Sequence, residues 1–311
     1  MWLDILWLTV GLAMIVAGAD ILVDGASSIA RKAHISEFVI GLTIVGFGTS
    51  CPELVVSLTG AFEGNADISI GNVVGSNIFN ALLILGLTAL VSPVSMTKSN
   101  RQRDIPVALL VTLLFLAFGM SGLVITRIEG IVFLIVFAVY LYVSFKQGRQ
   151  DPGDSRDEAG LRTFKTPVAI LLVVCGLAAL IAGGRLFVDK AVLLARALGV
   201  SDKVIAITLL AGGTSLPELA TCIIATIKKE DQLALGNIIG SNIFNILLIL
   251  GLSATVTPLS YASMSVTDSV VSLAGIAILW IFAYTGHKDR IDRWEGALML
   301  TLFAGYYYLL F

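Results

Sequence analysis

The sequence is poor in charge, in histidine and in cysteine, and each shortage excludes a class of protein. Only 14% of the 311 residues are charged and 57% are hydrophobic, which excludes a water-soluble protein of this size. A net charge of −2 and two histidines give no sign of a nucleic-acid partner. The three cysteines lie in apolar stretches without metal-ligand spacing, which argues against a zinc site and a disulfide framework.

Apolar stretches long enough to cross a bilayer fill most of the chain. A spanning helix needs about 20 mostly apolar residues, and the sequence divides into ten such stretches at its charged and turn-rich points. The first stretch lacks the basic start of a signal peptide, so we expect it to be a transmembrane helix. The fold class is therefore predicted as an all-α polytopic membrane protein in the lipid bilayer. The predicted spans are residues 2–30, 37–62, 68–92, 105–122, 126–146, 166–196, 203–227, 232–256, 264–285 and 292–311.

The two halves of the chain repeat each other at one constant shift in numbering, which we call the repeat shift. It places GTSCPEL at 48–54 on GTSLPEL at 213–219, and GNVVGSNIFN at 71–80 on GNIIGSNIFN at 236–245. Because each half has five spans, an odd number, equivalent helices are predicted to cross the membrane in opposite directions as inverted-topology repeats. The predicted domains are repeat 1 (1–146, with its α-repeat at about 37–92), a polar linker (147–165) and repeat 2 (166–311, with its α-repeat at about 203–257).

The basic residues predict the orientation in the cell (plasma or inner) membrane. With the N-terminus outside, the cytoplasmic loops and the central linker hold fifteen Lys and Arg residues. The outer loops hold only Arg127, Arg196 and Lys203. Since cytoplasmic loops carry the excess of Lys and Arg, both termini are predicted to lie outside.

One glutamate in each half lies near the predicted centre of the membrane. Glu53 comes roughly sixteen residues into the second span, and Glu218 takes the same place in the seventh. A carboxylate at that depth costs at least about 2.5 kcal/mol, so it is rarely there to fill space. The alternative is a pair of protonated glutamates that only bond neighbouring helices.

A proline precedes each glutamate and predicts a broken helix. Pro52 and Pro217 have no N–H for the carbonyls of Gly48 and Gly213, and freed carbonyls at this depth are tolerable where they line a cavity or coordinate an ion. The same turns carry hydroxyl groups, those of Thr49, Ser50, Thr214 and Ser215.

The third and eighth spans supply the opposite wall. Their glycines lie four residues apart, a spacing that lets helices approach closely: Gly71, Gly75, Gly236 and Gly240. Ser76 and Asn80 share one helix face, as do Ser241 and Asn245, and these faces are candidates for ion coordination. Asn77 and Asn242 fit either coordination or hydrogen bonding between helices.

Together these residues offer carboxylate, carbonyl, hydroxyl and amide oxygens, but no nitrogen or thiolate ligand. Many flexible oxygen ligands suit Ca2+ better than Mg2+, which loses its water reluctantly. Two carboxylates match the charge of one Ca2+, and Na+ ions could replace it among the same oxygens. No cofactor is predicted, and no nucleophile–base pair or metal-ligand motif favours an enzyme.

The paired motifs resemble those of the Ca2+:cation antiporter superfamily, in particular its prokaryotic Na+/Ca2+ exchangers. The resemblance implies ten helices in inverted repeats, with Glu53 and Glu218 as central ligands and carbonyls of Thr49 and Thr214 for Ca2+. It places Na+ positions beside Ser50, Ser76, Ser215 and Ser241. The further implied metal-site residues are Asn80, Asn245, Gly46 and Ala211.

The chain departs from this family pattern at a few positions. Some relatives carry an aspartate where Asn80 or Asn245 stands here, so the site has one formal charge fewer. Gly46 stands where alanine is common, and Gly212 replaces a bulkier residue. These differences leave the coupling ion and the number of Na+ ions open.

Charged residues near the span ends are predicted to lie at the membrane surface. Asp24 and Asp189 are related by the repeat shift and are interpreted as helix-end carboxylates. Arg185 and Lys190 are expected to extend toward the outer surface, and an ion pair of Asp20 with Arg185 is excluded by the inverted topology.

The sequence predicts a Na+/Ca2+ antiporter that works by alternating access. A Ca2+/H+ antiporter and an exchanger of another divalent cation are the alternatives, and the dependence of ion flux on Na+ at fixed pH distinguishes the first two.

Overall fold

The computed structural model describes residues 2–148, 163–200, 205, 209, 211–262, 264–285 and 289–310. The helices in these ranges follow the predicted spans closely. They are α1 (Trp2–Ala33), α2 (Glu37–Thr49), α3 (Cys51–Phe62), α4 (Ala66–Val91), α5 (Asn100–Gly122), α6 (Arg127–Gly148), α7 (Thr166–Ala197), α8 (Ala211–Gly213), α9 (Leu216–Ile227), α10 (Asp231–Val256), α11 (Val266–Phe282) and α12 (Arg293–Leu310). The same ranges contain the two-residue strands β1 (Val94–Ser95), β2 (Val124–Ile125), β3 (Leu259–Ser260) and β4 (Arg290–Ile291).

Local sequence explains where several of these helices begin. Ser36 caps α2 by accepting the Val39 N–H at 3.4 Å, and Ser265 caps α11 by accepting the Asp268 N–H at 3.0 Å. Proline occupies the first turn of α3, α7 and α9, where its missing N–H costs no intrahelical bond.

Several of the described helices contain π-helical segments. Such segments interrupt the regular hydrogen-bond pattern of an α-helix and are frequent at functional sites. Two of them occupy equivalent places in α4 and α10, where Asn80 and Asn245 lie. The segments are Gly41–Val45, Phe79–Ile84, Asn100–Asp104 and Asn245–Leu250.

The helices have the length and composition of membrane spans. Among the described residues, six helices are long and apolar enough to cross a membrane, and α2 with α3 makes a seventh as one bent pair. α9 and α11 are shorter apolar helices. Large apolar side chains lie exposed on α1, α6 and α7, where a soluble protein would present charge, so the chain is a multi-pass membrane protein.

The centre of the molecule is formed by α4 and α10. α10 is almost completely buried and α4 largely so, whereas most of α1, α6 and α7 is exposed. α1 and α7 pack against each other along their length through glycines. A Cβ atom at Gly18 would lie 2.9 Å from the carbonyl oxygen of Gly176, so these backbones approach too closely for any larger residue.

Short strand pairs join the loops on each side of the helix bundle. β1 pairs with β4 on the side where α6 ends and α7 begins, which we call the linker face. β2 pairs with β3 on the opposite side, which we call the termini face because α1 begins there. The predicted linker, residues 147–165, lies largely outside the described residues.

Ion pairs follow the same division. On the linker face Arg31 pairs with Glu230, and Arg101 Nη1 lies 2.9 Å from Asp289 Oδ1. On the termini face Lys190 Nζ lies 3.2 Å from Asp4 Oδ1, consistent with the predicted direction of the Lys190 side chain. Segments far apart in sequence are therefore held together on each face.

Candidate cation site

The second span breaks directly before Glu53, as the Gly-Thr-Ser-X-Pro motif predicts. α2 ends at Thr49, Ser50 leaves the helical region with φ −82° and ψ 7°, and α3 continues at an angle of 51° to α2. Glu53 lies in the first turn of α3 and is 1% exposed. The helix N-terminus is the electropositive end of the helix dipole and favours a carboxylate there.

The second half repeats this break before Glu218. α8 ends at Gly213, Ser215 has φ −91° and ψ 6°, and Glu218 lies in the first turn of α9. Glu218 is 1% exposed. Two buried carboxylates thus occupy equivalent positions at the starts of two half-helices.

The hydroxyl groups of the two breaks cross between the halves. Ser50 Oγ donates to Glu218 Oε1 at 3.1 Å, and Ser215 Oγ donates to Glu53 Oε1 at 3.3 Å. The sequence placed each serine on the turn of its own glutamate, but the structure bonds each to the glutamate of the other half. Glu53 and Glu218 therefore meet in one polar centre that neither half forms alone.

Asparagines join α4 to α10 beside this centre. Asn77 Nδ2 donates to the Asn242 carbonyl at 3.2 Å, and Asn80 Nδ2 donates to Asn242 Oδ1 at 3.2 Å. Asn245 Nδ2 donates to Asn77 Oδ1 at 2.9 Å. Asn77 and Asn242 thus make hydrogen bonds between helices, one of the two roles that the sequence left open.

The same bonds leave oxygen atoms unpaired. Within the described residues, the buried Oδ1 atoms of Asn80 and Asn245 accept no hydrogen bond, and Glu53 Oε2 and Glu218 Oε2 have no donor. Ser241 Oγ is buried without a partner as well. A buried polar atom left unpaired costs about 1–3 kcal/mol, and a cation coordinated by these oxygens would remove that cost.

Three further predicted site residues, Ser76, Thr49 and Thr214, lie beside the two glutamates. Ser76 Oγ reaches Glu53 Oε1 at 3.5 Å. The Thr49 hydroxyl bonds the Val45 carbonyl at 3.1 Å and Asn237 Oδ1 at 3.1 Å, whereas the predicted ligand is the Thr49 carbonyl. Thr214 lines a cavity beside the site.

The glycine positions differ in what surrounds them. A Cβ atom at Gly46 would lie 3.4 Å from the Ser241 N atom, so a small residue brings α2 close to α10. At Gly212 a Cβ atom would lie 2.7 Å from Phe79 Cζ, and glycine leaves room for that ring. The structure describes Ala211 only through its backbone.

The predicted close helix approach is present at the glycines of the second half. A Cβ atom at Gly240 would lie 2.6 Å from Leu42 Cα, and Gly236 packs against Phe38 in the same way. At Gly71 and Gly75 no described atom lies within 4 Å of such a Cβ atom. Under the repeat shift Phe38 and Leu42 correspond to residues 203 and 207, which lie outside the described ranges.

Two asparagines near the site were not predicted. Asn72 Nδ2 donates to the Glu53 carbonyl at 3.1 Å and to Ser57 Oγ at 2.9 Å. Asn237 bonds Thr49, as described above, and its Nδ2 donates to Cys222 Sγ at 3.2 Å. Asn72 follows Gly71, and Asn237 follows Gly236, at the start of the two GNVVGSNIFN and GNIIGSNIFN motifs. The repeat shift relates the two asparagines, and this correspondence was the signal in the sequence that could have identified them.

A cavity of about 210 Å3 leads from the site toward the termini face. It lies between α7 and the starts of α3 and α9. Its lining includes Pro52, Gly184, Arg185, Asp189, Thr214 and Pro217.

The donor set suits a hard cation. Carboxylate, amide and hydroxyl oxygens surround the centre, and no cluster of three His, Cys, Asp or Glu side chains occurs within the described part of the chain. Two carboxylates with several neutral oxygens can compensate one divalent cation, or monovalent cations at the same oxygens.

Comparison with known proteins gives consistent relatives. A sequence model of the family described as "Sodium/calcium exchanger protein" matches residues 3–146 and again residues 168–311. CaxA of Alkalimonas amylolytica, named a putative antiporter, is 44% identical, covering 98% of this chain and 98% of CaxA. The sodium/calcium exchanger MaX1 of Methanosarcina acetivorans is 35% identical, with 99% of this chain and 98% of MaX1 covered.

The fold is similar to that of a solved exchanger. A structure of the sodium-calcium exchanger NCX_Mj, soaked with zero Na+ and Ca2+, matches with a TM-score of 0.85 at 35% identity. The match covers 97% of this chain and 97% of the solved chain.

Proposed function

The chain belongs to the sodium/calcium exchanger family, a family of transporters and not of enzymes, and we propose that it is a secondary-active antiporter exchanging Na+ for Ca2+. The main support is the polar centre in which Glu53 and Glu218 each bond a serine of the other half. A site built from both repeats changes its access when the repeats move against each other, which is how inverted-repeat transporters work.

The proposed ions follow from the unpaired oxygens. Two carboxylates neutralise one Ca2+, and the amide oxygens of Asn80 and Asn245 add neutral ligands at the buried site. Na+ ions at the same oxygens exclude Ca2+ because the total negative charge is fixed. The proposed ligand set is Glu53, Glu218, Thr49, Thr214, Ser50, Ser215, Ser76, Ser241, Asn80, Asn245, Gly46 and Ala211.

The proposed architecture has ten transmembrane helices in two inverted repeats of five, residues 1–146 and 166–311, joined by the linker at 147–165. Pairing of β1 with β4 and of β2 with β3 supports it, because each pair joins loops on the same side in the ten-span alternation. Arg31 at the end of α1 also pairs with Glu230 before the start of α10, on the same side.

The proposed orientation puts the linker face in the cytoplasm and both termini outside. Its support is the excess of Lys and Arg in the loops of the linker face. The proposed location is the cell membrane, and the relative YrbG of Escherichia coli, 38% identical, is named an inner membrane protein.

Ion flux in proteoliposomes tests the function. Liposomes loaded with Na+ and diluted into Na+-free buffer at fixed pH are expected to take up radiolabelled Ca2+. Glu53→Gln and Glu218→Gln each remove one of the two charges, so uptake is expected to fall at least about a hundredfold in both. Asp67→Asn, outside the proposed ligand set, is the matched carboxylate control and is expected to retain uptake.

Each other outcome points to a different conclusion. Uptake driven by a pH gradient and indifferent to Na+ would replace the proposal with a Ca2+/H+ antiporter. Uptake of another divalent cation in preference to Ca2+ would change the substrate. Uptake that survives both glutamine substitutions would refute the site.

A further inference from the structure

Charged residues on α1 and α7 and at the ends of α3 and α9 form two related sets. Each set has two residues one turn apart on a long peripheral helix and a third at the end of the glutamate-bearing helix of the other half. The repeat shift relates the two sets residue by residue, but at two of the three positions the charge has the opposite sign in the other set. Under the repeat shift Asp20 corresponds to Arg185, Asp24 to Asp189, and Glu63 to Lys228.

On the linker face this set forms a compact cluster. Lys228 Nζ lies 2.8 Å from Asp20 Oδ1 and 2.6 Å from Asp24 Oδ1, and it donates to the Asp20 carbonyl at 2.9 Å. The end of α9 is thereby tied to α1. Beside the cluster Ala19 and Val23 are 0% exposed, and α1 packs against α9.

On the termini face the three described residues of the corresponding set form no such cluster. Arg185, Asp189 and Glu63 are exposed, and within the described ranges none of them forms an ion pair. The cavity of about 210 Å3 separates α7 from α3 here. Val188, the counterpart of the buried Val23, lines this cavity, so the position that is fully buried on one face borders a cavity on the other.

We propose that the two sets are alternating latches between the peripheral helices and the site helices. When Lys228 holds Asp20 and Asp24, the linker face is closed. When the exchanger opens toward the linker face, Lys228 releases α1, and Glu63 closes the termini face by pairing with Arg185. This inference rests on the proposed alternating access and names the residues that hold each end state.

The exchanged signs make the two latches unequal. Lys228 meets two carboxylates, so both of its contacts attract. Glu63 on Arg185 would attract, but Asp189, one turn from Arg185, would repel it. Without bound ions the protein is therefore expected to rest open toward the termini face, as in this structure.

Thiol labelling of the two faces tests the latches. Val23→Cys and Val188→Cys are made one at a time in a protein whose native cysteines are replaced, and a membrane-impermeant maleimide is added from either side of proteoliposomes without Na+ or Ca2+. The native cysteines are Cys51, Cys175 and Cys222.

Lys228→Met is expected to raise labelling of Val23→Cys from the linker face about two- to tenfold, the range for loss of partly exposed ion pairs. It should lower labelling of Val188→Cys correspondingly. Glu63→Gln is expected to shift both reporters in the opposite direction. Lys32→Met, an exposed lysine on the same face without an ion pair among the described residues, is the matched control and should change neither.

Charge reversal separates a latch from a general loss of packing. Lys228→Glu should open the linker face, and adding Asp24→Lys should return the labelling part of the way to that of the parent, because Asp20 still repels the introduced carboxylate. If Lys228 variants cannot be purified, Glu63→Gln and Arg185→Gln test the second latch alone. Labelling of both reporters that ignores every one of these substitutions would overturn the proposal.

Binding of radiolabelled Ca2+ to the solubilised protein distinguishes this failure from failure of the proposed function. Binding that is present and needs Glu53, together with unchanged labelling, refutes only the latches. Absence of Ca2+ binding in the parent protein refutes the proposed function, and with it the mechanism on which the latches rest.

Discussion

At the scale of single residues, the crossed bonds between serines and glutamates determine how the site is built. Ser50 bonds Glu218 and Ser215 bonds Glu53, so each carboxylate is oriented by a hydroxyl of the other repeat. A hydrogen bond to a charged group contributes about 1.5–3 kcal/mol. The two halves of the site therefore depend on each other energetically.

A double-mutant cycle on thermal stability measures this dependence. Ser50→Ala and Glu218→Met are expected to be non-additive by about 0.5–3 kcal/mol, because they remove the same bond. Ser50→Ala with Glu53→Met, which share the polar centre but no bond, should be closer to additive. Melting of the purified protein in detergent without Na+ or Ca2+ gives both values, and coupling only within one half would contradict the crossed geometry.

Sequence reasoning found the ligand types but not these partners. Spacing along one helix tells only that Ser50 shares a turn with Glu53. Which glutamate it reaches depends on how α3 and α9 meet, a tertiary contact that local spacing does not encode. Asp24 was likewise predicted as a helix-end carboxylate, and its partner Lys228 lies 204 residues away.

At the scale of helices, close backbone packing joins α1 to α7. A Cβ atom at Gly18 would lie 2.9 Å from the Gly176 carbonyl oxygen, and one at Gly176 would lie 2.8 Å from the Gly18 carbonyl oxygen. Neither neighbour is a flexible side chain that could move aside. The two peripheral helices therefore behave as one packed pair.

Replacing one of these glycines should separate the pair. Gly18→Val is expected to destabilise the protein by about 1–3 kcal/mol, because the backbones must shift to admit the side chain. Thermal melting in detergent measures the loss. Gly305→Val on α12 is the matched control, since no described atom lies within 4 Å of its Cβ position, and an equal loss there would show that the effect is not due to packing.

The helices themselves were largely predictable. The bilayer fixes the length of an apolar stretch, so the predicted bounds agree with α1, α4, α6, α7 and α10 within a few residues. Proline before each glutamate predicted the breaks in the second and seventh spans. The π segments had no such signal, because one extra residue in a helical turn changes neither hydropathy nor length.

At the scale of the whole molecule, noncovalent contacts join the two halves over much of their length, in addition to the covalent connection between them. α1 packs on α7 and the asparagines of α4 bond those of α10, whereas a polar segment of the chain joins the halves. The folded state therefore depends on the association of the repeats.

Separated halves should reassemble. Residues 1–148 and 163–311, produced together in one cell, are expected to copurify through a tag on either half and to bind radiolabelled Ca2+. Each half produced alone should be degraded or aggregate, because it exposes the polar face of its central helix to lipid. A single half that is stable and binds Ca2+ would contradict the shared site.

The crossed bonds also limit what a single repeat could be. One five-helix unit carries a carboxylate and a hydroxyl, but the hydroxyl reaches only the carboxylate of a second unit lying upside down beside it. A protein made of one such unit could assemble this site only as an antiparallel homodimer, so its chains would have to insert into the membrane in both orientations. Joining two units through a polar linker removes that requirement, because one chain then fixes opposite orientations for its two parts.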